Sequence, residues 1–383
     1  MKILIVHNNY GKYSGEEAVV DKMADMLTSH GHEVAFYRRT TEGVRESAVG
    51  KIKGFLSGIY SSSGVRGMWD ALRRERPDIV NVHNLYPFIS PAALFECKKS
   101  GVPVVMTIHN FRLICPTGLF MRDGLPCEVC LERGNEWSCV RYNCECNRLK
   151  SIGYTLRNVY ARWTGAYRKN VAAFACITDF QRQKLIAAGY EAERVTVIPN
   201  GIDAPTSYDL TGGNYVAYIG RLSYEKGYDL LIEVARRNPS IPFRFAGAKR
   251  EQSDMEIPGN VEFMGYLQKE ELSDFICHSR FVVMPSRCYE GFPMAILEAA
   301  CYGKPTIGPA HGGFTEIIGR GEQAIGDLFE PNNLDDLEQK VVSLWNRPNE
   351  IARLGKKAFE KLKREYSSEV IYQKWDSLFQ KLV

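Results

Sequence analysis

The sequence predicts an α/β protein built as two parallel-sheet domains. Three observations carry this expectation. The chain has 383 residues, enough for two domains of ordinary size. Short apolar strands alternate with helical patterns in both halves, the arrangement that builds parallel sheets. Between the halves lies Val197-Ile-Pro-Asn-Gly-Ile-Asp203, with turn residues at its centre.

In chain order, the first half offers strands at Lys2–Val6, Glu33–Tyr37, Ile79–Val82, Val104–Ile108 and Ala173–Ile177. The second offers Val195–Ile198, Tyr215–Ile219, Phe243–Ala246, Phe281–Met284 and Pro305–Ile307. The opening Met-Lys-Ile-Leu-Ile-Val-His is too short for a signal peptide and reads as a buried strand. A last helix, Ser368–Val383, repeats Val370, Ile371, Trp375, Leu378 and Leu382 at helical spacing. The apolar share of 45% and charged share of 25% are those of a globular chain, and no apolar run approaches the ~18 residues of a membrane span. A cytoplasmic location, at the inner face of the membrane if the basic stretches touch lipid, is expected, with no nucleic-acid partner.

Charge is uneven. Residues 1–199 hold 27 Lys+Arg against 19 Asp+Glu, a balance of +8; the remainder, by difference from 49 and 45, holds 22 against 26, or −4. A basic first half points to an anionic partner there. Between Cys146 and Thr178 there is no acid, while Arg148, Lys150, Arg157, Arg162, Arg168 and Lys169 are present. Leu149, Ile152, Leu156, Val159, Trp163 and Tyr167 recur there at helical spacing, so 148–169 is a basic amphipathic helix. It either packs on a core with its charges in water or contacts anionic headgroups or a phosphate-bearing acceptor. Ser47–Trp69 also lacks acids and adds Lys51, Lys53 and Arg66.

The densest chemistry lies in Pro285-Ser-Arg-Cys-Tyr-Glu-Gly-Phe-Pro-Met-Ala-Ile-Leu-Glu-Ala299. An apolar strand enters a Gly291-Phe292-Pro293 turn and a helix leaves it. Pro293 suits the first helical position. The amides of Met294 and Ala295 then stand at the positive end of the helix dipole, an anion site. Five helical residues rise about 7.5 Å, so Glu290 and Glu298 flank that anion, and a carboxylate accepts hydrogen bonds from a vicinal diol. A ligand with hydroxyls at both ends and phosphate between them, such as a nucleotide sugar, fits. The plainer reading is a strand, a turn and a helix with two surface glutamates.

This segment resembles the E-x7-E signature of retaining glycosyltransferases of the GT-B fold, in particular glycosyltransferase family four. The resemblance implies two Rossmann-like domains facing across a cleft, with Glu298 on the nucleotide ribose and Glu290 on the donor sugar. It makes 1–197 the acceptor-side domain with a Cys-rich insertion at 111–147, 198–365 the nucleotide-sugar domain, and 366–383 a helix crossing back. The family often has Gly where this chain has Pro293. Gly220-Arg-Leu-Ser-Tyr-Glu-Lys-Gly227 matches the family's G-R-L-x-x-x-K-G pattern, which assigns Arg221 and Lys226 to the donor pyrophosphate. Two cations there would neutralise the charge that grows on a leaving diphosphate. Phe245-Ala-Gly247 and Phe263-Met-Gly-Tyr266-Leu267 resemble the segments lining the base pocket.

His311-Gly-Gly-Phe-Thr-Glu316 resembles the family's G-G-x-x-E turn near the donor sugar. Glu316 could equally cap the next helix by its charge. In His7-Asn-Asn-Tyr-Gly-Lys-Tyr-Ser-Gly-Glu-Glu17, Gly11 and Gly15 do not form a dinucleotide fingerprint. The family has a glycine loop here that faces the donor phosphates and the acceptor, which places Gly15 at the donor. Glu16 and Glu17 read as first-turn helix acids. His109 resembles the family's His-Asp, with the His near the reacting sugar, but Asn110 replaces the acid, so no base is assigned at 110. His83-Asn84 is a similar strand end. The catalytic set is thus Glu290, His109, Arg221 and Lys226.

Six of the eleven cysteines fall within 32 residues: Cys115, Cys127, Cys130, Cys139, Cys144 and Cys146. The spacing Cys127-x2-Cys130 is that of a zinc knuckle. Structural zinc, reduced thiols and redox bridging stay open. The segment resembles a subset of family-four enzymes of bacterial surface-polysaccharide pathways. It suggests Cys115, Cys127, Cys130 and Cys144 as a structural zinc set, with no cofactor for catalysis.

The resemblance implies transfer of a sugar from a nucleotide diphosphate sugar to a hydroxyl acceptor with retention, the acceptor a lipid-linked saccharide of cell-surface polysaccharide synthesis. No Asp-x-Asp metal motif appears, so the chemistry is expected to be metal-independent. A non-catalytic scaffold that kept the nucleotide site, and a sugar-nucleotide epimerase, are the alternatives.

Overall fold

Ile3, Leu4, Ile5 and Val6 have no exposed surface, because parallel strands are covered by helices on both faces. They belong to a six-stranded sheet made from β1 (Lys2–Asn9), β2 (Glu33–Thr40), β3 (Ile79–Asn84) and β4 (Val104–Ile108). The computed structural model describes residues 1–10, 14–43, 48–208, 212–249 and 255–383. After β4, a two-stranded hairpin joins β5 (Met121–Arg122) to β6 (Leu125–Pro126). Strands β7 (Ala173–Cys176) and β8 (Val195–Val197) complete the first sheet, whose order is β2-β1-β3-β4-β7-β8 with every pairing parallel.

The second sheet uses β9 (Val216–Ile219), β10 (Phe243–Ala246), β11 (Val261–Gly265), β12 (Phe281–Val283), β13 (Thr306–Pro309) and β14 (Gly326–Phe329). Its order is β11-β10-β9-β12-β13-β14, also parallel throughout. Tyr218, Leu231, Phe243, Phe245, Phe281, Ile307 and Phe329 are core members, each at most 1% exposed. Each sheet reverses its order once, at β1/β3 in the first and at β9/β12 in the second. Ligands of open α/β sheets bind outside the carboxyl ends of strands at such points.

The chain divides into two compact units, residues 1–120, 128–199 and 372–383 in one, and 121–127 and 200–371 in the other. In the first unit the His30 ring stacks on Tyr372 at 3.6 Å and His32 Nε2 meets the Tyr372 hydroxyl at 3.1 Å. In the second, Asn332 donates to the Gly124 carbonyl at 3.4 Å, which ties the small hairpin to that unit.

One sequence expectation needs correction, and two strands were missed. Val195–Ile198 was grouped with the second sheet, but β8 pairs with β7 and ends the first one. The strand β14 escaped the sequence reading because Gly-Asp-Leu-Phe is short and half polar. So did β11 as a full strand, since an edge strand with Glu262 and Phe263 exposed lacks the continuous apolar run of its neighbours.

The basic helix runs from Arg148 to Thr164, its start capped by Asn147 Oδ1 accepting from the Lys150 amide at 3.0 Å. Gly165, in the left-handed region, ends it. Tyr167, expected in the same helix, falls in a second short one, Ala166–Asn170.

Candidate active site

In the second unit, two segments meet at the β9/β12 reversal. The chain leaving β9 makes one 3-10 turn, Tyr224–Lys226. The chain leaving β12 carries Ser286, Arg287 and Glu290. Arg287 fastens the two together: its guanidinium forks onto Asp229, 2.6 Å on each arm, and also donates to the Tyr224 carbonyl at 2.8 Å. The Arg287 amide adds a bond to the Glu225 carbonyl at 2.9 Å. A planar fork holds geometry as well as charge.

Within that frame Lys226 Nζ pairs with Glu290 Oε1, the side chains only 19% and 14% exposed. Ser286 Oγ donates to the same carboxylate oxygen at 2.7 Å. Burial alone would raise the Glu290 carboxyl, but Lys226, Ser286 and Arg221 together hold it below the ordinary glutamate range. Burial likewise opposes charge on Lys226, and Glu290 more than offsets it, so the ammonium is raised. Both groups are ionised at neutral pH. Arg221 is 42% exposed and meets Glu225 at 3.3 Å.

The Gly291–Pro293 turn leads into the helix Met294–Cys301. Pro293, expected at the first helical position, sits instead at the N-cap with ψ of 95°, one residue before the helix begins, and no side chain caps the helix. The Met294 and Ala295 amides therefore begin the helix, and Phe292 is buried edge-on to Tyr366 at 5.6 Å. Glu298 is half-buried one turn into the same helix. The Gly313 amide donates to the Glu290 carbonyl at 2.9 Å. A Cβ at Gly313 would come within 2.5 Å of the Gly291 carbonyl, so glycine is needed for this approach.

Glu316 is the fifth residue of the helix Gly312–Ile318, beyond the first turn where a carboxylate acts on the dipole. The capping role considered for it does not hold. Gly247 follows β10 where any Cβ would overlap the Gly220 carbonyl, so the chain leaving β9 and β10 closes tightly at their carboxyl ends. Tyr266 is 67% exposed and Leu267 half-buried after β11.

In the first unit, a second polar cluster occupies the β1/β3 reversal. His83 Nδ1 and His109 Nε2 are 2.7 Å apart, so one imidazole donates to the other and the pair shares a single proton at that contact. His7 lies edge-on to His83, centroids 6.4 Å apart, and its Nδ1 is 3.9 Å from Glu16 Oε1. The Tyr10 hydroxyl donates to Glu16 Oε2 at 3.1 Å and also bonds Arg112. Burial pushes His7 and His109 down to about 4, and His83 well below its ordinary value, so all three are neutral at pH 7. Burial also raises the Glu16 carboxyl. Among the described residues neither nitrogen of His7, nor His83 Nε2, nor Glu16 Oε1, nor Arg112 Nε has a hydrogen-bond partner.

Glu16 is thus more than a first-turn acid, while Glu17 is buried beside the Ser14 cap. Gly15 opens the helix Gly15–Ser29, and among the described residues nothing lies within 4 Å of where a Cβ would stand. Gly11, the other glycine of the expected loop, lies outside the described residues.

The sequence reading missed Ser286, Arg287, His7 and Arg112 as site residues. Ser286 and Arg287 stood inside the quoted 285–299 stretch, and His7 followed an apolar strand, as His83 and His109 do.

Among the described residues no group of three or more His, Cys, Asp or Glu side chains is placed to hold a metal ion. Cys127 belongs with the second unit, whereas Cys115, Cys130 and Cys144 belong with the first. The thiol that bonds Cys144 is Cys139, with Cys115 and Cys130 its further thiol neighbours.

Comparison with known proteins follows the same division. Residues 13–205 match the family model "Glycosyltransferase Family 4", and residues 207–361 match "Glycosyl transferases group 1". An uncharacterized 42.6 kDa protein of the cps region of Klebsiella pneumoniae is 26% identical over 90% of this chain and 96% of its own length. The poly(ribitol-phosphate) alpha-N-acetylglucosaminyltransferase of Staphylococcus aureus is 27% identical over 56% of this chain and 47% of its own. In fold, the chain is similar to sucrose-phosphate synthase of Thermosynechococcus elongatus, with a TM-score of 0.73, 15% identity, and coverage of 100% and 98%. It is also similar to HepE of Anabaena solved with UDP and glucose, with a TM-score of 0.69, 16% identity, and full coverage of both chains.

Proposed function

Since this chain belongs to glycosyltransferase family 4, with the GT-B fold, we propose that it moves a sugar from a nucleotide diphosphate sugar to a hydroxyl acceptor, with retention at the anomeric carbon. The acceptor is a lipid-linked saccharide in surface-polysaccharide synthesis. The buried Lys226–Glu290 pair at the β9/β12 reversal carries the reading. It keeps a cation and a carboxylate charged, side by side, where ligands of such sheets bind.

Each group then has a task. Arg221 and Lys226 neutralise the diphosphate as the glycosidic bond breaks and its oxygen gains charge. The amides at Met294 and Ala295 add a helix N-terminus to the same anion. Glu298, one turn on, accepts from the ribose hydroxyls. Glu290, held by Ser286 and by the Gly313 amide, accepts from the sugar and faces the positive charge that develops at its anomeric carbon. The leaving phosphate takes the acceptor's proton, so the step needs no separate base in this unit and no divalent metal. The relative in a cps region supports the pathway.

A thermal-shift screen of nucleoside diphosphates and their sugars tests this, beginning with UDP because HepE was solved with it. One base should raise the melting temperature by mass action, and Glu298→Ala should abolish the shift. No shift with any nucleotide overturns the transferase reading.

A further inference from the structure

The helices Ala48–Ile59 and Arg148–Thr164 of the first unit share a face that nothing above uses. On the longer helix Leu149, Leu156, Tyr160 and Trp163 follow at intervals of seven, four and three, which is one stripe. The shorter helix covers only its middle. The Phe55 ring fills the space a Cβ on Gly153 would need, and Tyr60 meets Tyr160 edge-on at 6.3 Å. The two ends of the stripe stay in water: Leu149 is 72% exposed and Trp163 89%. They stand about 21 Å apart along the axis. On the shorter helix, Leu56 is 58% exposed and Tyr60, just past its end, 52%.

Four large apolar side chains, each more than half exposed, on two packed helices mark a surface meant for contact. Lys53, Arg148 and Lys150 are exposed on the same two helices. No acid occurs from Cys146 to Thr178, and the preceding one, Glu145, is half-buried. We propose that this face docks on an anionic lipid bilayer. Leu56, Tyr60, Leu149 and Trp163 enter the interface, and Lys53, Arg148 and Lys150 meet the headgroup phosphates. Charge decides for a bilayer over a second copy of the chain, because a two-fold contact would set these bases against themselves. The proposal stands independently of the transferase reading.

The test sediments the full chain with vesicles of phosphatidylcholine and with vesicles containing one-third phosphatidylglycerol, at low and high salt. Binding to the anionic vesicles, weakened by salt, is expected. Leu149→Ser with Trp163→Ser should weaken it by about tenfold or more, and so should Arg148→Gln with Lys150→Gln. The melting temperature and the nucleotide-induced shift should not move in either variant, since these side chains are exposed. A wild-type chain that stays in solution with anionic vesicles at low salt overturns the proposal. So do two variants that bind like wild type. A dimer that the apolar variant dissolves, with no vesicle binding, gives the face to a second copy instead.

Discussion

Replacing Glu290 with Gln separates the two roles the Lys226–Glu290 pair performs. The amide keeps the shape of the carboxylate and can still accept from Ser286. What it loses is charge. Lys226 is then an ammonium 19% exposed with no anion beside it. Breaking a fully buried pair costs about 3–5 kcal/mol; partial exposure and the retained amide oxygen reduce this to roughly 1–2 kcal/mol. Adding a nucleoside diphosphate returns an anion to Lys226, so the ligand should restore more melting temperature in the variant than in wild type. Turnover should behave oppositely. A charge-assisted hydrogen bond is worth about 1.5–3 kcal/mol, so losing one from the transition state lowers kcat roughly tenfold to a hundredfold. Calorimetric titration of the diphosphate, thermal unfolding and turnover of the donor sugar together read all three quantities. Equal losses in donor affinity and kcat would mean that Glu290 only holds substrate. An unchanged melting temperature would mean that the pair does not form in solution.

The same pair sets a pH window. Glu290 is depressed in the folded chain, so its contribution is present above the ordinary value of 4.5 and is lost as pH falls through the folded value. Lys226 is raised, so its contribution is present below 10.5 and is lost as pH rises through the folded value. Urea midpoints should be highest between these limits, and Glu290→Gln should narrow the difference between pH 7 and pH 4. His7 and His109 are held neutral down to about 4, so the unfolded chain binds protons first, and stability should fall as pH drops from 6.5 towards 4. His109→Asn should shallow that fall; an unchanged acid limb would count against burial as its cause. Gly247→Ala forces a methyl against the Gly220 carbonyl and should lower stability by about 1–3 kcal/mol in urea unfolding. A loss under about 0.5 kcal/mol, the range of ordinary surface changes, would show that β9 and β10 can part there.

Much of the site was legible because its residues lie in short motifs at strand ends. Glu290, Arg221 and Lys226 could be named from two stretches, and the strands that bring them together were apolar enough to find. The brace between those stretches was not legible. Arg287 and Asp229 are 58 residues apart, and nothing near either marks the other as a partner. The triad at the β1/β3 reversal was half legible. His83 and His109 stood out as strand-end histidines, while His7 was overlooked because β1 continues three residues beyond its apolar run. The pattern misled at Val195–Ile198, which joined the sheet before it, since an apolar tetrapeptide carries no signal of which sheet it will edge.

The chain passes from one unit to the other between residues 120 and 121, 127 and 128, 199 and 200, and 371 and 372. A polypeptide ending at Pro199 is therefore not half of this protein. It would lack Trp375 and Phe379, which are 4% and 0% exposed, and would leave the His30 ring without the tyrosine stacked on it. The first unit acquires its last twelve residues only after the second has been made. On the ribosome all six strands of the first sheet are made before the second unit, but the helix carrying Trp375 and Phe379 joins them only after it.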